Sequence, residues 1–144
     1  MELALAGKTG VITGASKGIG RAVADSYAAE GCDLVLVART QTALETAQSE
    51  LRGRYNVGVS IRAIDMSQPG SAITLAGHFP DIDILVNNAG AIPGGSIDVV
   101  NEAIWREAWQ LKVFGYINLC REYFALMGAR RSGIIANVIG LAAT

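Results

Sequence analysis

The sequence is poor in cysteine, proline and histidine, nearly balanced in charge, and without a long apolar run. Two cysteines, Cys32 and Cys120, cannot build a disulfide framework and do not stand in a Cys-x-x-Cys pair, so a reducing, cytoplasmic setting is expected. The lone His78, just before Phe79-Pro80, has no neighbouring ligands of metal-site spacing and reads as a helix-end residue favoured by the helix dipole. No metal is expected. No stretch reaches the ~18 apolar residues that a membrane span needs. The start, Met1-Glu2-Leu3-Ala4-Leu5, lacks the basic head and apolar core of a secretion signal. Twelve Lys and Arg against 13 Asp and Glu leave a net charge of -1 with no basic block, which argues against a nucleic-acid partner. Neither repeats nor low-complexity segments occur.

What is abundant is glycine, 17 residues, and short apolar runs that alternate with helical patterns. Thr9 to Thr13 reads as a short buried strand closed by Gly14. From Gly18 to about Ala29, the residues Ile19, Ala22, Val23 and Tyr27 recur at helical spacing, and Gly31 ends the run. Leu34 to Ala38 suits a strand buried on both faces. A second helix carries Leu44, Ala47 and Leu51 on one stripe, with Thr42-x-x-Glu45 as an expected capping box and Gly53 as its expected stop. A third strand runs from Val57 to Ile64, and Pro69 heads a short helix with Ile73 and Ala76. After the Pro80-Asp81 break comes a strand from Ile82 to Val86. The loop from Gly90 to Gly95 leads into a long helical stretch, about Glu102 to Met127. Ser132-Gly133 then turns into a last strand, Ile134 to Val138. This alternation, with apolar strands, predicts an α/β domain: a doubly wound parallel sheet covered by helices on both faces.

The first strand-to-helix turn, Gly14-Ala15-Ser16-Lys17-Gly18-Ile19-Gly20, gathers free backbone N–H groups at the positive end of a helix. That is an anion site suited to a pyrophosphate. Gly14 permits the tight turn, Gly18 the approach of the phosphates, and Gly20 close packing of helix on sheet. The alternative is an ordinary glycine-rich turn, which leaves Ser16 and Lys17 unexplained. At the end of the second strand, Val37-Ala38-Arg39-Thr40 carries no acid. A carboxylate there would take the ribose 2′-OH of NAD, whereas Arg39 can grip the 2′-phosphate of NADP and Thr40 can add a hydroxyl. Lys17 brings a second cation, so NADP is expected over NAD. Left to themselves, Arg39 and Lys17 are solvated surface residues.

Thr13-Gly14-x-x-x-Gly18-Ile19-Gly20 resembles the turn of the short-chain dehydrogenase/reductase family. Three further segments resemble its motifs in order: Asp65-Met66, its adenine-contacting acidic pair; Asp83-x-Leu85-x-Asn87-Asn88-Ala89-Gly90, its fourth-strand motif; and Gly133-x-Ile135-x-Asn137, its fifth-strand entry. The resemblance implies a Rossmann-type sheet of order 3-2-1-4-5, with residues 1–144 a single NAD(P)-binding domain incomplete at its C-terminal side. It also implies a soluble homo-oligomer seamed along the long helix 102–127. Trp105, Trp109, Phe114, Tyr116, Tyr123 and Phe124 crowd more than one face of that helix, and about half of them read as core. The implied cofactor-binding set is Gly14, Ser16, Lys17, Gly18, Ile19, Gly20, Arg39, Thr40, Asp65, Met66, Asn88, Ala89 and Gly90. Asn87 and Asn88 are expected to tie the loop beneath the cofactor. The implied chemistry is hydride transfer between nicotinamide and a carbonyl or secondary alcohol.

The catalytic groups of the family do not match. No Tyr-x-x-x-Lys occurs, and the family's motif is expected beyond Thr144. Gly140 stands where the family has its serine. Lys112, in Lys112-Val113-Phe114-Gly115, stands where it has its helix asparagine. Lys112 can offer a backbone carbonyl to water or an ammonium to a carbonyl, or simply lie along the helix with its stem packed. The catalytic residues are therefore unassigned, and a dinucleotide-binding scaffold or sensor is the rival reading. A methyltransferase is weaker, because Arg39 stands where its acid belongs. Residues 1 to 144 expressed alone are expected to show no dehydrogenase turnover, since lost general acid–base help alone is worth roughly 10²–10⁴-fold. They are also expected to be poorly soluble, with an apolar strand left at a sheet edge. Expression beside the full-length protein, with a carbonyl panel, checks both; a monomeric active fragment is the contrary result.

Overall fold

A computed structural model describes residues 4–90 and 92–140. Five strands, β1 (Thr9–Thr13), β2 (Asp33–Ala38), β3 (Val59–Ala63), β4 (Ile84–Asn87) and β5 (Ile134–Asn137), form one sheet in the order β3-β2-β1-β4-β5. Each neighbouring pair is parallel. The helices are α1 (Gly18–Ala29), α2 (Gln41–Arg54), α3 (Ser71–His78), α4 (Glu102–Trp109) and α5 (Tyr116–Arg130), with a π-helical stretch, Gln110–Gly115, joining the last two.

Alternate strand residues feed two cores, which is the physical meaning of the unbroken apolar runs. On one face Ile12, Leu34, Leu36, Ile84 and Val86 pack with Ala24 and Ala28 of α1 and Leu44, Ala47 and Leu51 of α2. On the other, Val11, Val35, Val37 and Leu85 pack with Ala72, Leu75 and Ala76 of α3 and Leu119, Tyr123 and Met127 of α5. The doubly wound arrangement expected from the sequence is therefore present, with the expected strand order. Asp83, just ahead of β4, accepts the Thr9 amide at 2.9 Å and pairs with Lys8 at 3.2 Å, pinning the start of β1.

Several local expectations need correction. The second helix has no Thr42 capping box: it begins at Gln41 after Thr40, whose side chain makes no cap hydrogen bond. Gly53 lies inside it, and the turn ends at Arg54, where Arg54 reaches Asp25 of α1 at 2.6 Å. That tertiary ion pair and the buried Leu51 hold the last turn in place despite glycine. The third helix begins at Ser71 behind Gly70 (φ 80°), past Pro69, and Ile73 points to solvent. Strands β3, β4 and β5 are shorter or shifted by a few residues, since only the paired stretch continues the ladder. In α1, Gly20, Ala24 and Ala28 are the fully buried stripe while Ile19 is exposed. The long helix runs on to Arg130 and is interrupted by the π-helical stretch. Trp109, Phe114 and Phe124 of that helix are exposed, whereas Tyr116 and Tyr123 are buried.

Candidate functional site

All five strands point their C-terminal ends at one edge, where α1 and α2 depart on one face and α3 and α5 lie on the other. Between β1 and β4 the connections diverge, and a crevice opens there, as at any such switch point. It is a cleft of about 430 Å³. Its lining includes Gly14, Ser16, Lys17, Gly18 and Ile19 from the first turn, Arg39 and Thr40 after β2, Met66 after β3, and Asn88, Ala89 and Gly90 after β4. Eleven of the thirteen residues read from the sequence are thus brought to one place.

The other two stand just outside it. Gly20 lies behind the turn: a Cβ there would overlap the Gly14 carbonyl and the Asn88 amide, so only glycine lets α1 approach the sheet this closely. Asp65 faces an adjoining hollow that shares Arg39 and Leu111 with the cleft. Burial works against its charge, but the Ser67 hydroxyl at 2.7 Å, the Ser67 amide at 2.9 Å and the nearby Arg39 charge hold its carboxyl below the usual range. Asp65 therefore shapes the turn after β3.

The phosphate turn is shaped by its neighbours. Gly14 (φ 67°) and Gly18 (φ 58°) take the left-handed conformation, and the Gly14 and Ala15 amides donate to the Val37 carbonyl at 2.8 and 3.2 Å. A Cβ on Gly18 would meet no atom within 4 Å, so the space before the helix is open. No side chain caps the start of α1. Its first amides therefore face the cleft with their partial positive charge. Among the described residues, neither the Lys17 nor the Arg39 side chain forms an ion pair or hydrogen bond, unlike those of Arg21 and Arg54, which are paired with Glu50 and Asp25.

The floor depends on Thr13, a fully buried hydroxyl at the end of an apolar strand. Its Oγ1 accepts the amides of Asn88 at 2.9 Å and Ala89 at 3.0 Å. Asn88 Nδ2 donates back to the Thr13 carbonyl at 3.1 Å. Asn87 reaches the other way, donating to Asn137 Oδ1 at 2.8 Å and to Cys120 Sγ at 3.4 Å. Asn88 therefore ties the loop after β4 to the end of β1, while Asn87, the last residue of β4, ties that strand to β5 and α5.

Two functional-looking groups escaped that reading. Thr13 was legible only as part of a motif; its signal is a polar residue closing an apolar strand. Tyr116 is the second, signalled by Lys112-x-x-x-Tyr116, one helical turn apart. Lys112 Nζ donates to the Tyr116 hydroxyl at 2.8 Å and to the Val138 carbonyl at 2.6 Å. Burial pulls the Lys112 pKa below its ordinary value and pushes Tyr116 up to about 12. Neither residue lines the cleft, whose hydroxyl side chains are Ser16 and Thr40. Lys112 does lie with its stem packed, the bland alternative. At Gly140, a Cβ would come no nearer than 3.6 Å to Ile92, so space does not exclude a serine there. Among the described residues, no group of His, Cys, Asp or Glu could hold a metal ion, and His78 is the exposed last residue of α3. No described helix is long and apolar enough to cross a membrane.

A family model for short chain dehydrogenase matches residues 8–144. The uncharacterized oxidoreductase YvrD of Bacillus subtilis is 32% identical over 141 residues, covering 96% of this chain and 53% of that protein. L-sorbose reductase from Gluconobacter frateurii, solved with NADPH and L-sorbose, superposes with a TM-score of 0.86 at 35% identity, over 95% of this chain and 54% of that one. A metagenomic short-chain oxidoreductase in complex with NADP superposes with a TM-score of 0.86 at 30% identity, over 96% of this chain and 65% of that one. The chain spans about half the length of the curated relatives it matches.

The Thr13 contacts give a direct expectation. Thr13→Val keeps the volume but strands the part-buried amides of Asn88 and Ala89, at a total cost of about 1–3 kcal/mol. Urea unfolding of the intact protein should show that loss, together with weaker ligand binding in the cleft. Unchanged stability would mean that the two amides find other acceptors.

Proposed function

The chain belongs to the short chain dehydrogenase family, and from that premise we propose that the intact protein is an NADP(H)-dependent oxidoreductase acting on a carbonyl or secondary alcohol. One observation carries the cofactor choice. Arg39 and Thr40, with no carboxylate at the strand tip, line the same cleft as the phosphate turn and Lys17. Two cations whose side chains make no ion pair or hydrogen bond, Lys17 and the Arg39 that acts on Asp65 only through its charge, then face the space where a 2′-phosphate would be held.

The fit is chemical as well as spatial. Uncapped amides of α1 and the open space before Gly18 suit a pyrophosphate. Ser16 supplies a hydroxyl, Ile19 and Met66 supply apolar contact, and the Asn88–Gly90 loop supports the other half of the dinucleotide. Asp65 acts here by holding the turn that presents Met66. NADPH, when bound, supplies a hydride. The alkoxide that carbonyl reduction would build needs a proton donor. Ser16 and Thr40 belong to the phosphate turn and the β2 end, so we assign that donor to the remainder of the intact protein. Lys112 is occupied by Tyr116 and Val138, and Gly140 has no hydroxyl; these favour a second reading, a dinucleotide-binding scaffold or sensor. Turnover of NADPH over a carbonyl panel separates the two.

Exposed Trp105, Trp109, Phe114, Ile117 and Phe124 along the long helix support association of copies there. The two free cysteines accord with a reducing cytoplasm.

NADPH should bind the intact protein more tightly than NADH by about tenfold or more, the worth of a charge-assisted contact of ~1.5–3 kcal/mol. Arg39→Asp should reverse the order, because the phosphate would meet a like charge. Titration with both cofactors checks this, and equal affinities in the parent would refute it. Gly18→Val should abolish binding while leaving much of the fold, since its side chain enters the open space before α1 and a β-branched residue is strained at the left-handed φ of 58°. A normal thermal shift by NADPH in that variant would mean the phosphate turn is wrongly placed.

A further inference from the structure

The π-helical stretch touches the loops that follow three strands. A Cβ on Gly115 would lie 3.0 Å from the carbonyl oxygen of Met66, after β3. After β4, the Lys112 stem crosses Gly90, where a Cβ would come within 2.5 Å of Lys112 Cδ. Beyond β5, the Lys112 ammonium meets the Val138 carbonyl at 2.6 Å and the Tyr116 hydroxyl at 2.8 Å, while that hydroxyl donates to the same carbonyl at 3.1 Å. The ammonium also stands 4.8 Å from the Tyr116 ring centroid. A half-buried cation is tolerated only when such partners replace its water.

From this closed triangle we infer that Lys112 is a positioning residue. Its ammonium, shared by the Tyr116 hydroxyl and the Val138 carbonyl, holds the backbone leaving β5 against the Asn88–Gly90 loop. The inference rests on the proposed dinucleotide site for its functional consequence. If Arg39, after β2, takes the adenosine phosphate and the β1 turn takes the pyrophosphate, the nicotinamide half lies toward β4 and β5. Lys112 would then set the wall on which the reacting end of the cofactor rests. It does so without entering the cleft, since neither it nor Tyr116 lines that space. A helix-surface lysine whose head lay in water would have no such effect. The wider π-helical turn brings this one under the loop, and such turns recur at functional sites.

The experiment compares the intact protein with Lys112→Met, which keeps the stem and removes the donor. Two measurements are made: hydrogen exchange across residues 88–90 and 138–140 without cofactor, and NADPH titration with the fluorescence lifetime of the bound nicotinamide. Exchange at 138–140 should rise about tenfold or more while the amides of β1 and β2 are unmoved. NADPH affinity should stay within about threefold, because the phosphate contacts are elsewhere, and the lifetime should fall toward that of free NADPH. Tyr116→Phe should give a smaller effect of the same kind and add little to Lys112→Met, since both act on one carbonyl. Parent-like exchange and lifetime in Lys112→Met overturn the inference. If that variant does not fold, parent-like exchange at 138–140 in Lys112→Gln, whose shorter and uncharged side chain removes the ammonium, overturns it instead. Failure of the parent to bind NADPH refutes the cofactor reading alone, because the exchange measurement needs no cofactor and still decides the role of Lys112.

Discussion

Where the connections after β1 and β4 part to opposite faces of the sheet, no helix can cover the strand ends between them. The amides that leave β4 must find partners inside that crevice, and the buried Thr13 hydroxyl takes two of them. Asn88 closes the tie from the other side. With these groups satisfied, the crevice can stay open without stranded backbone. The rest of the site depends on this arrangement. Gly14 lies close against the tie, where a Cβ would come within 2.9 Å of Ala89 Cα, and Gly20 lets the helix start directly behind it.

Charge is distributed by the same logic. Cations elsewhere on the α1–α2 face are matched, Arg21 with Glu50 and Arg54 with Asp25. At the cleft, Lys17 and Arg39 stand without such partners beside an uncapped helix start. A cleft of that sign attracts anions and stabilises them through fixed dipoles as well as side chains. Lys112 is the opposite case, a cation whose water has been replaced by a hydroxyl, a carbonyl and a ring face.

Much of this was legible in the sequence because it is local or periodic. Leu44, Ala47 and Leu51 recur at helical spacing and are buried for that reason. The unbroken apolar run after Asp33 marks a strand with helices on both faces, and the two cores bear it out. Boundaries were less legible. Gly53 resembles a helix stop, yet Arg54 finds Asp25 on another helix and the turn continues. Thr42 resembles a cap, but the helix has already begun at Gln41. Ile19 follows the apolar spacing of α1 and still faces outward, because glycine and alanine are what fit closest to the sheet.

The amino-acid order alone determined the alternation of strands and helices, the glycine pattern of the first turn, and the absence of an acid beside Arg39. Each of these lies within a few residues of chain, where backbone preference and side-chain period act directly. Tertiary structure alone decided that Thr13 would hold the loop after β4, 75 residues away, and that Lys112 would reach Val138 rather than solvent. It also decided that Tyr116 would be buried while Phe114, two residues before it, is exposed. Those outcomes depend on which strand ends lie side by side and where the helix widens into a π turn. Neither has a signature in local spacing, because each is set by groups distant in the chain competing for the same buried partners.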